Sequence, residues 1–560
     1  MYYRKRIEDL RKWRSSSGRK PLIVRGARQV GKTTLVTTFG KEFKQFLHLN
    51  LEKPRDASFF HSYMDAKELA QQLFLEHKLD FKLYKETLLF IDEIQEVPKA
   101  VNMLRYFYEE LPDLPVITAG SMLETMLGKS VSFPVGRVSY LMLRPMSFEE
   151  FLYPTCSEAQ LAAFQKVPIP RIAENLFLQK FTFYAFLGGM PAVVKRYLET
   201  EDITQLKEIF DELLQSYLDD AEKYAESPEQ LRQLRFVIQL LGKEAGSRIS
   251  LTSFGGMTYP SKVIAEIFAL LEKTHLCKLV YPSVGQLFPL DTDMKKAPRL
   301  HFLDTGLMNF VANIQVDVLR SEDLCTVYKG KMIEHLVGQE LFSTMRFPSE
   351  IPHFWVRQNR GSQAELDYLI PYDGKLYPVE VKSGKTGTLK SLFVYMETAP
   401  VSVAIRIYGG DFSVDELKTT EGKSFSLINI PFYHSSKIES YLKWFYEEYK
   451  SVESVFVVSE PMVEYKISST NVVKKRDRKK DEVGLLKQQK MILEACILKP
   501  QSARFLLEDL LGISFQTHNK RKFLQALIDS EFLIQTELEN KKSRYQTYKT
   551  TEKGRDFLNS

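Results

Sequence analysis

The sequence predicts a multidomain α/β protein, and three observations carry that reading. Short apolar runs, LIV at 22–24 and LLFI at 88–91, end where glycine or acids begin, as buried parallel strands do. Residues 170–245 are rich in Leu, Phe, Gln and Glu at helical spacing. A second set of strand-like segments, HFWVRQ, AELDYLIP and LYPVEVKS, follows, separated by turn signals. At 560 residues the chain is long enough for roughly three or four domains. Its 44% hydrophobic and 26% charged content is that of a folded soluble protein. The net charge of +6 permits nucleic acid as a partner without requiring it.

Several classes are not expected. The N-terminal MYYRKRIEDLRKWR lacks the apolar core of a signal peptide, and no run of about 18 apolar residues predicts a membrane span. The four cysteines lie far apart with no CxxC, so neither a disulfide framework nor a zinc knuckle is expected, and a reducing cytoplasm fits. The nine histidines show no HxxxH or HExxH spacing.

Taken in order, Ile7, Leu10 and Trp13 recur at helical spacing and predict an amphipathic helix over residues 3–14. After the strand at 22–24 comes GARQVGKT, which matches GxxxxGK[ST]. The spacing has a physical cause. Gly26 and Gly31 let the backbone of Ala27, Arg28, Gln29 and Val30 wrap a phosphate with its N–H groups. The helix opening near Lys32 points its positive end at the same place. Lys32 would neutralise the β- and γ-phosphates of ATP, and the Thr33 hydroxyl, with Thr34 beside it, would sit at Mg²⁺. LLFIDE places Asp92 and Glu93 at the C-terminal edge of a buried strand. Asp92 would hold Mg²⁺ and Glu93 would polarise the attacking water. A strand at 115–119 leads to Ser121, read equally as a γ-phosphate sensor or as a helix N-cap. Arg137 reads as a finger toward the same or a neighbouring nucleotide, or as a surface arginine.

GARQVGKTTL, LFIDEIQ, ITAGSMLE and GRVSYLMLRPMSFEEF, in this order, resemble a large family of prokaryotic AAA+-like P-loop ATPases. FLGGMPAVV at 186–194 and APRLHFLDTGLMNFV at 297–311 resemble the same family, over about residues 1–440. Members commonly carry a C-terminal domain of unknown function with a restriction-endonuclease-like core. The resemblance implies an AAA+-like ATPase domain over 1–165, a helical and winged-helix-like connector over 166–320 and an endonuclease-like domain over 321–450. For Asp304, a helix cap is expected rather than catalysis.

Within LYPVEVKS, Val379 and Val381 alternate with Glu380 and Lys382. Alone, that is how a half-exposed strand looks. A hairpin that brings Asp367 beside Glu380, with Glu334 from a preceding helix, would supply oxygen ligands for a divalent cation. Lys382 would then orient the attacking water or stabilise the developing charge. With the family resemblance, Asp367, Glu380 and Lys382 read as a PD-(D/E)xK constellation.

Residues 451–481 read as a basic linker, with KKRDRKK at 474–480. Residues 482–560 resemble a winged-helix DNA-binding domain of three helices and a two-stranded wing. Thr517, Asn519, Lys520, Arg521 and Lys522 would face DNA from the recognition helix, and Lys541, Lys542 and Arg544 from the wing tip. The expected protein is thus a cytoplasmic ATPase coupled to a Mg²⁺-dependent endonuclease acting on DNA. The alternative is a nucleotide-switched DNA-binding regulator with an inert nuclease fold. A homo-oligomer is left open, and protein partners are not specified.

Overall fold

The computed structural model describes residues 3–61, 65–120, 134–223, 225, 227–256, 260–315, 330–358, 364–384, 388–450, 487–498, 500–510, 520–536 and 547–559. The chain forms two units, Met1–Glu460 and Pro461–Ser560.

The first unit opens with a helix, Arg6–Ser15, whose Ile7, Leu10 and Trp13 are buried. A five-stranded sheet follows: β1 (Leu22–Arg25), β2 (Gln45–Asn50), β3 (Thr87–Asp92), β4 (Val116–Ala119) and β5 (Ser139–Met142). All its pairings are parallel, in the order β2-β3-β4-β1-β5. Strand alternation divides the side chains between two faces. Leu22, Val24, Leu88, Phe90 and Ile117 join one core, and Ile23, Leu89, Ile91 and Val116 join the other. Helices cover both faces, and each starts where its sequence allows. Pro98 opens Pro98–Glu110 in its first turn, and Ser147 closes a capping box with Glu150.

The middle of the chain is helical: Arg171–Leu187, Pro191–Thr200, Leu206–Glu222 and Pro228–Glu244. The expected helix-turn-helix outline forms only in part, because its first helix is a single short turn, Phe254–Gly256. The longer helix, Ser261–Lys273, buries Ile264, Ile267, Phe268 and Leu271. It leads into the antiparallel hairpin of β6 (Cys277–Val280) and β7 (Arg299–Phe302). Asp304 caps the helix Thr305–Ala312 by accepting from the Leu307 N–H, as the sequence predicts. The FLGGMP turn has its explanation here. The Gly189 N–H donates to Asp304 Oδ2 at 2.6 Å, and a Cβ on Gly188 or Gly189 would run into Asp304 or Met146.

The second sheet comprises β8 (His353–Val356), β9 (Glu365–Tyr372), β10 (Lys375–Lys382), β11 (Val403–Tyr408), β12 (Ser413–Lys418) and β13 (Ser424–Pro431). Its order is β12-β13-β11-β10-β9-β8. Helices Lys331–Thr344 and Lys390–Thr398 complete an α-β-β-β-α-β succession, with β12 and β13 as additions not read from the sequence. One continuous apolar core runs from the first sheet through the middle helices to this one.

The second unit has a helix, Lys487–Leu498, then β14 (Gln501–Ser502), helical segments Phe505–Leu510, Lys520–Gln525 and Ala526–Asp529, β15 (Leu533–Gln535), β16 (Thr547–Thr550) and a closing helix, Glu552–Asn559. Strands β15 and β16 pair antiparallel, and β14 adds a third strand. Ile492, Leu493, Leu506, Leu507, Phe523 and Leu527 form its core. Thr517, Asn519, the wing-tip residues Lys541, Lys542 and Arg544, and the 474–480 run lie outside the described residues.

Candidate functional site: a phosphate cradle and an acid cluster

The loop between β1 and the helix Lys32–Gly40 has the backbone of a phosphate cradle. Gly26, Gln29 and Gly31 have positive φ, and a Cβ on Gly26 would strike the Leu143 carbonyl. Lys32 is buried, and its Nζ donates to the carbonyls of Gly26 at 3.0 Å and Ala27 at 2.8 Å. Burial pushes its pKa down to about 8, against the pull of Glu93 and Asp92. The Thr33 hydroxyl donates to Asp92 Oδ2 at 2.7 Å, joining the first helical turn to the end of β3. Thr33 and Thr34 are exposed, side by side at the mouth of the loop. Glu93 sits just past β3 in the left-handed region (φ 50°) and accepts from Gln95 Nε2 at 2.6 Å. Burial raises its pKa, and the Gln95 hydrogen bond works against that rise. The donors for a hard cation fit here, because a hydroxyl and a carboxylate already meet beside the cradle.

Sequence reasoning missed what braces the loop. Arg4 donates to the Val30 carbonyl at 2.7 Å and to the Arg144 carbonyl at 2.6 Å, while its Nε pairs with Glu150 at 3.1 Å. From the helix Leu206–Glu222, the Tyr217 hydroxyl donates to the Arg28 carbonyl at 2.7 Å, and Asp220 pairs with the Arg28 guanidinium. The Tyr217 and Asp220 contacts span more than 180 residues of chain, so no local pattern announces them. Replacing Tyr217 with phenylalanine removes one hydrogen bond from a buried ring. It is expected to destabilise the protein by about 1 kcal/mol, read as a lower urea midpoint at unchanged slope. Amide exchange over residues 27–31 is expected to quicken.

Of two further residues read with this site, the structure places one, away from it. Ser121 lies outside the described residues. Arg137 precedes β5, at the N-terminal edge of the parallel sheet, whereas the cradle lies at the C-terminal edge. Its guanidinium pairs with Glu109 at 3.1 Å, so it is not a finger toward the nucleotide of its own chain.

The second constellation sits on β9 and β10. Both faces of β10 are buried, so this is not a strand with one wet face. The hairpin register places Asp367 beside Glu380, and Asp367 Oδ2 accepts from the Val381 N–H at 2.7 Å. Lys382 Nζ lies 2.5 Å from Glu380 Oε1. The unexpected member is Arg299, contributed by β7 and 2% exposed. Its Nη2 stands 2.5 Å from Glu365 Oε1, 3.6 Å from Asp367 Oδ1 and 3.7 Å from Glu334 Oε2, and its Nη1 donates to the Asp367 carbonyl at 2.8 Å. The guanidinium also stacks over the rings of Phe354 and Tyr368. Burial, then the charge of Asp367, pushes the carboxyls of Glu334 and Glu380 up to about 8, and burial raises Asp367 as well. Burial works against the charge on Arg299, but Glu334 and Asp367 outweigh it and hold the guanidinium firmly protonated.

This arrangement does not fit the expected metal site. Glu380 Oε2 is buried without a hydrogen-bond partner, but the neighbouring oxygens already face a lysine, an arginine or a backbone N–H. Among the described residues, no three His, Cys, Asp or Glu side chains are grouped to hold a metal ion. A divalent cation would have to displace Lys382 and Arg299 from the carboxylates it needs.

Comparison with known proteins gives three family matches. Residues 18–152 match an AAA domain, residues 178–317 match "Domain of unknown function (DUF8612)" and residues 329–433 match "Domain of unknown function (DUF4143)". No curated protein matches. Among solved structures, "Structure of Drosophila ORC bound to DNA" is 14% identical, covers 56% of this chain and 95% of its own, and has a TM-score of 0.19, too low to carry weight. No helix among the described residues is long and apolar enough to cross a membrane. The AAA match and the parallel sheet together make the N-terminal region P-loop ATPase-like.

Proposed function

We propose that the protein binds and hydrolyses ATP at the cradle of Gly26–Thr33 and uses that cycle on DNA. The observation that carries the reading is the meeting of four groups at one sheet edge. They are a loop at positive φ, the buried Lys32, the Thr33–Asp92 pair and Glu93 immediately beyond. Lys32 would leave its loop carbonyls for the β- and γ-phosphates. Thr33 and Asp92 would hold Mg²⁺, which offsets phosphate charge when bound. Glu93, with a raised pKa, would take the proton of the attacking water. The DNA part rests on the net charge of +6 and on the winged-helix reading of residues 482–560.

For the second sheet, Arg299 favours the alternative reading, a nuclease-like fold that does not cleave. Its guanidinium occupies the place among the acids that a metal would need. One set of assays tests both parts. Purified protein with ATP and Mg²⁺ is expected to release phosphate, to bind duplex DNA, and to leave supercoiled plasmid intact. Each lost phosphate contact removes about 0.9 from the slope of log affinity against log salt. Deleting residues 482–560 is therefore expected to flatten that slope, and an unchanged slope would remove the DNA role from this domain. Plasmid cleavage that disappears in Asp367→Ala would restore the nuclease reading.

A further inference from the structure

A cavity of about 280 Å³ lies where the residues following β5 meet the helix Ser261–Lys273, the β6–β7 hairpin and the helix Lys331–Thr344. Its charged and histidine lining is Arg144, Glu272, Lys273, His275, Lys278 and His301, with Gln339 as a neutral amide. The charges do not cancel. Glu272 is the one carboxylate among these lining groups, and Lys278 pairs with it at 2.9 Å. Burial keeps both histidines neutral, with His275 pushed down to about 3 and His301 well below its usual range. Arg144 and Lys273 are left over, two positive charges that no carboxylate of the lining offsets; Glu350, outside the lining, also acts on Arg144, against Arg6.

The groups facing the cavity are also short of hydrogen-bond partners. His301 is 2% exposed, and neither of its ring nitrogens has one. The Arg144 Nε is buried and equally unpartnered, while its guanidinium is held 4.5 Å above the Phe342 ring. An unpartnered buried donor forfeits the hydrogen bonds it made to water, so these groups are retained against a penalty that a bound acceptor would remove. The end of the helix Ser261–Lys273 does not supply that acceptor. Its last carbonyls already receive the N–H groups of Thr274, His275 and Leu276. Met142, Leu303 and Phe342 give the cavity an apolar wall.

We infer that this cavity is a binding site for a small phosphomonoester dianion, held by Arg144, Lys273 and an N–H of His301. The surplus of two positive charges matches a dianion. The volume falls just below the roughly 300–1,000 Å³ of ligand pockets, which suits a metabolite-sized phosphate or free phosphate rather than a polymer. The site is separate from the cradle but lies one step away from it. The Arg144 carbonyl and the Val30 carbonyl are held by the same Arg4 guanidinium, and the Leu143 N–H donates to the Arg25 carbonyl at 2.8 Å.

Calorimetric titration of the full chain tests the assignment, with inorganic phosphate and glucose 6-phosphate as the two probes. The titration is run in a Lys32→Ala background so that binding at the cradle does not count. At least one probe is expected to bind at a single site. Arg144→Gln is expected to weaken it tenfold or more, and Lys273→Ala severalfold. Lys273 is exposed, so its variant keeps the test valid if Arg144→Gln does not fold. Preference for glucose 6-phosphate would assign the site to a phosphorylated metabolite, and equal binding would assign it to free phosphate. No heat from either probe, or affinities unchanged by both substitutions, would overturn the inference.

Discussion

Lys32→Ala is expected to abolish detectable ATP binding, and Glu93→Gln to keep ATP bound while slowing hydrolysis by roughly a hundredfold or more. The two outcomes differ because the two side chains act at different stages. Lys32 carries its charge in a buried position where the carbonyls of Gly26 and Ala27 receive it. Triphosphate is a far better acceptor than two neutral carbonyls, so removing the lysine removes ground-state binding. Glu93 is held by Gln95 and acts on the cradle lysine through its charge. Its loss leaves the cradle whole and removes the base. Filter binding of labelled ATP and phosphate release, measured on both variants, separate these effects. Equal loss of binding in both would mean that Glu93 shapes the loop instead of acting on water.

Arg299→Met is expected to cost about 3–5 kcal/mol of stability near neutral pH, because it leaves buried acids without their cation. The methionine keeps most of the stem's packing against Phe354 and Tyr368, so the loss reports charge more than volume. The pH dependence fixes the cause. Glu334 and Glu380 have folded-state pKa values near 8, above their unfolded values of about 4.5. The folded state therefore binds more protons. The contribution of these groups is fully present below about pH 4.5 and is lost as pH rises through about 8. In Arg299→Met, Glu334 loses its nearest positive charge and Glu380 loses one beyond Lys382, so both protons are held still more firmly. Stability is expected to fall more steeply with rising pH than in the parent, and acid is expected to rescue the variant partly. Urea midpoints at pH 5.5, 7 and 8.5 check this. A pH-independent deficit would mean that packing, not charge, is what Arg299 supplies.

The parts of this molecule that follow from short-range physics were legible in the sequence. The strand at 22–24, the glycine spacing of the loop and the apolar run before Asp92 each declare themselves within a few residues. The structure sets them on one parallel sheet. The hairpin of Asp367 and Glu380 was legible for the same reason, since strand alternation and a turn fix its register. Arg299 was not. It lies 35 residues before Glu334 and 68 before Asp367, on a strand whose own sequence, RLHF, shows nothing but β-propensity. Tyr217 and Asp220 were hidden in the same way, as polar members of an otherwise ordinary amphipathic helix. Strand β12 is not legible because SVDELK is polar enough to read as a loop. It becomes a strand by pairing at the sheet's edge, where one side faces water.

The continuous core bears on how the protein can be dissected. Residues 165 and 320 look on paper like places to cut, yet apolar side chains on both sides of each belong to one cluster. Phe148, Phe164, Phe177 and Phe181 pack edge to face across the first of these positions. A fragment ending there would carry its share of that interior as bare surface, and such a surface aggregates instead of refolding. The ATPase-like region is thus the front half of a larger folding unit, and its enzymology belongs to the intact chain.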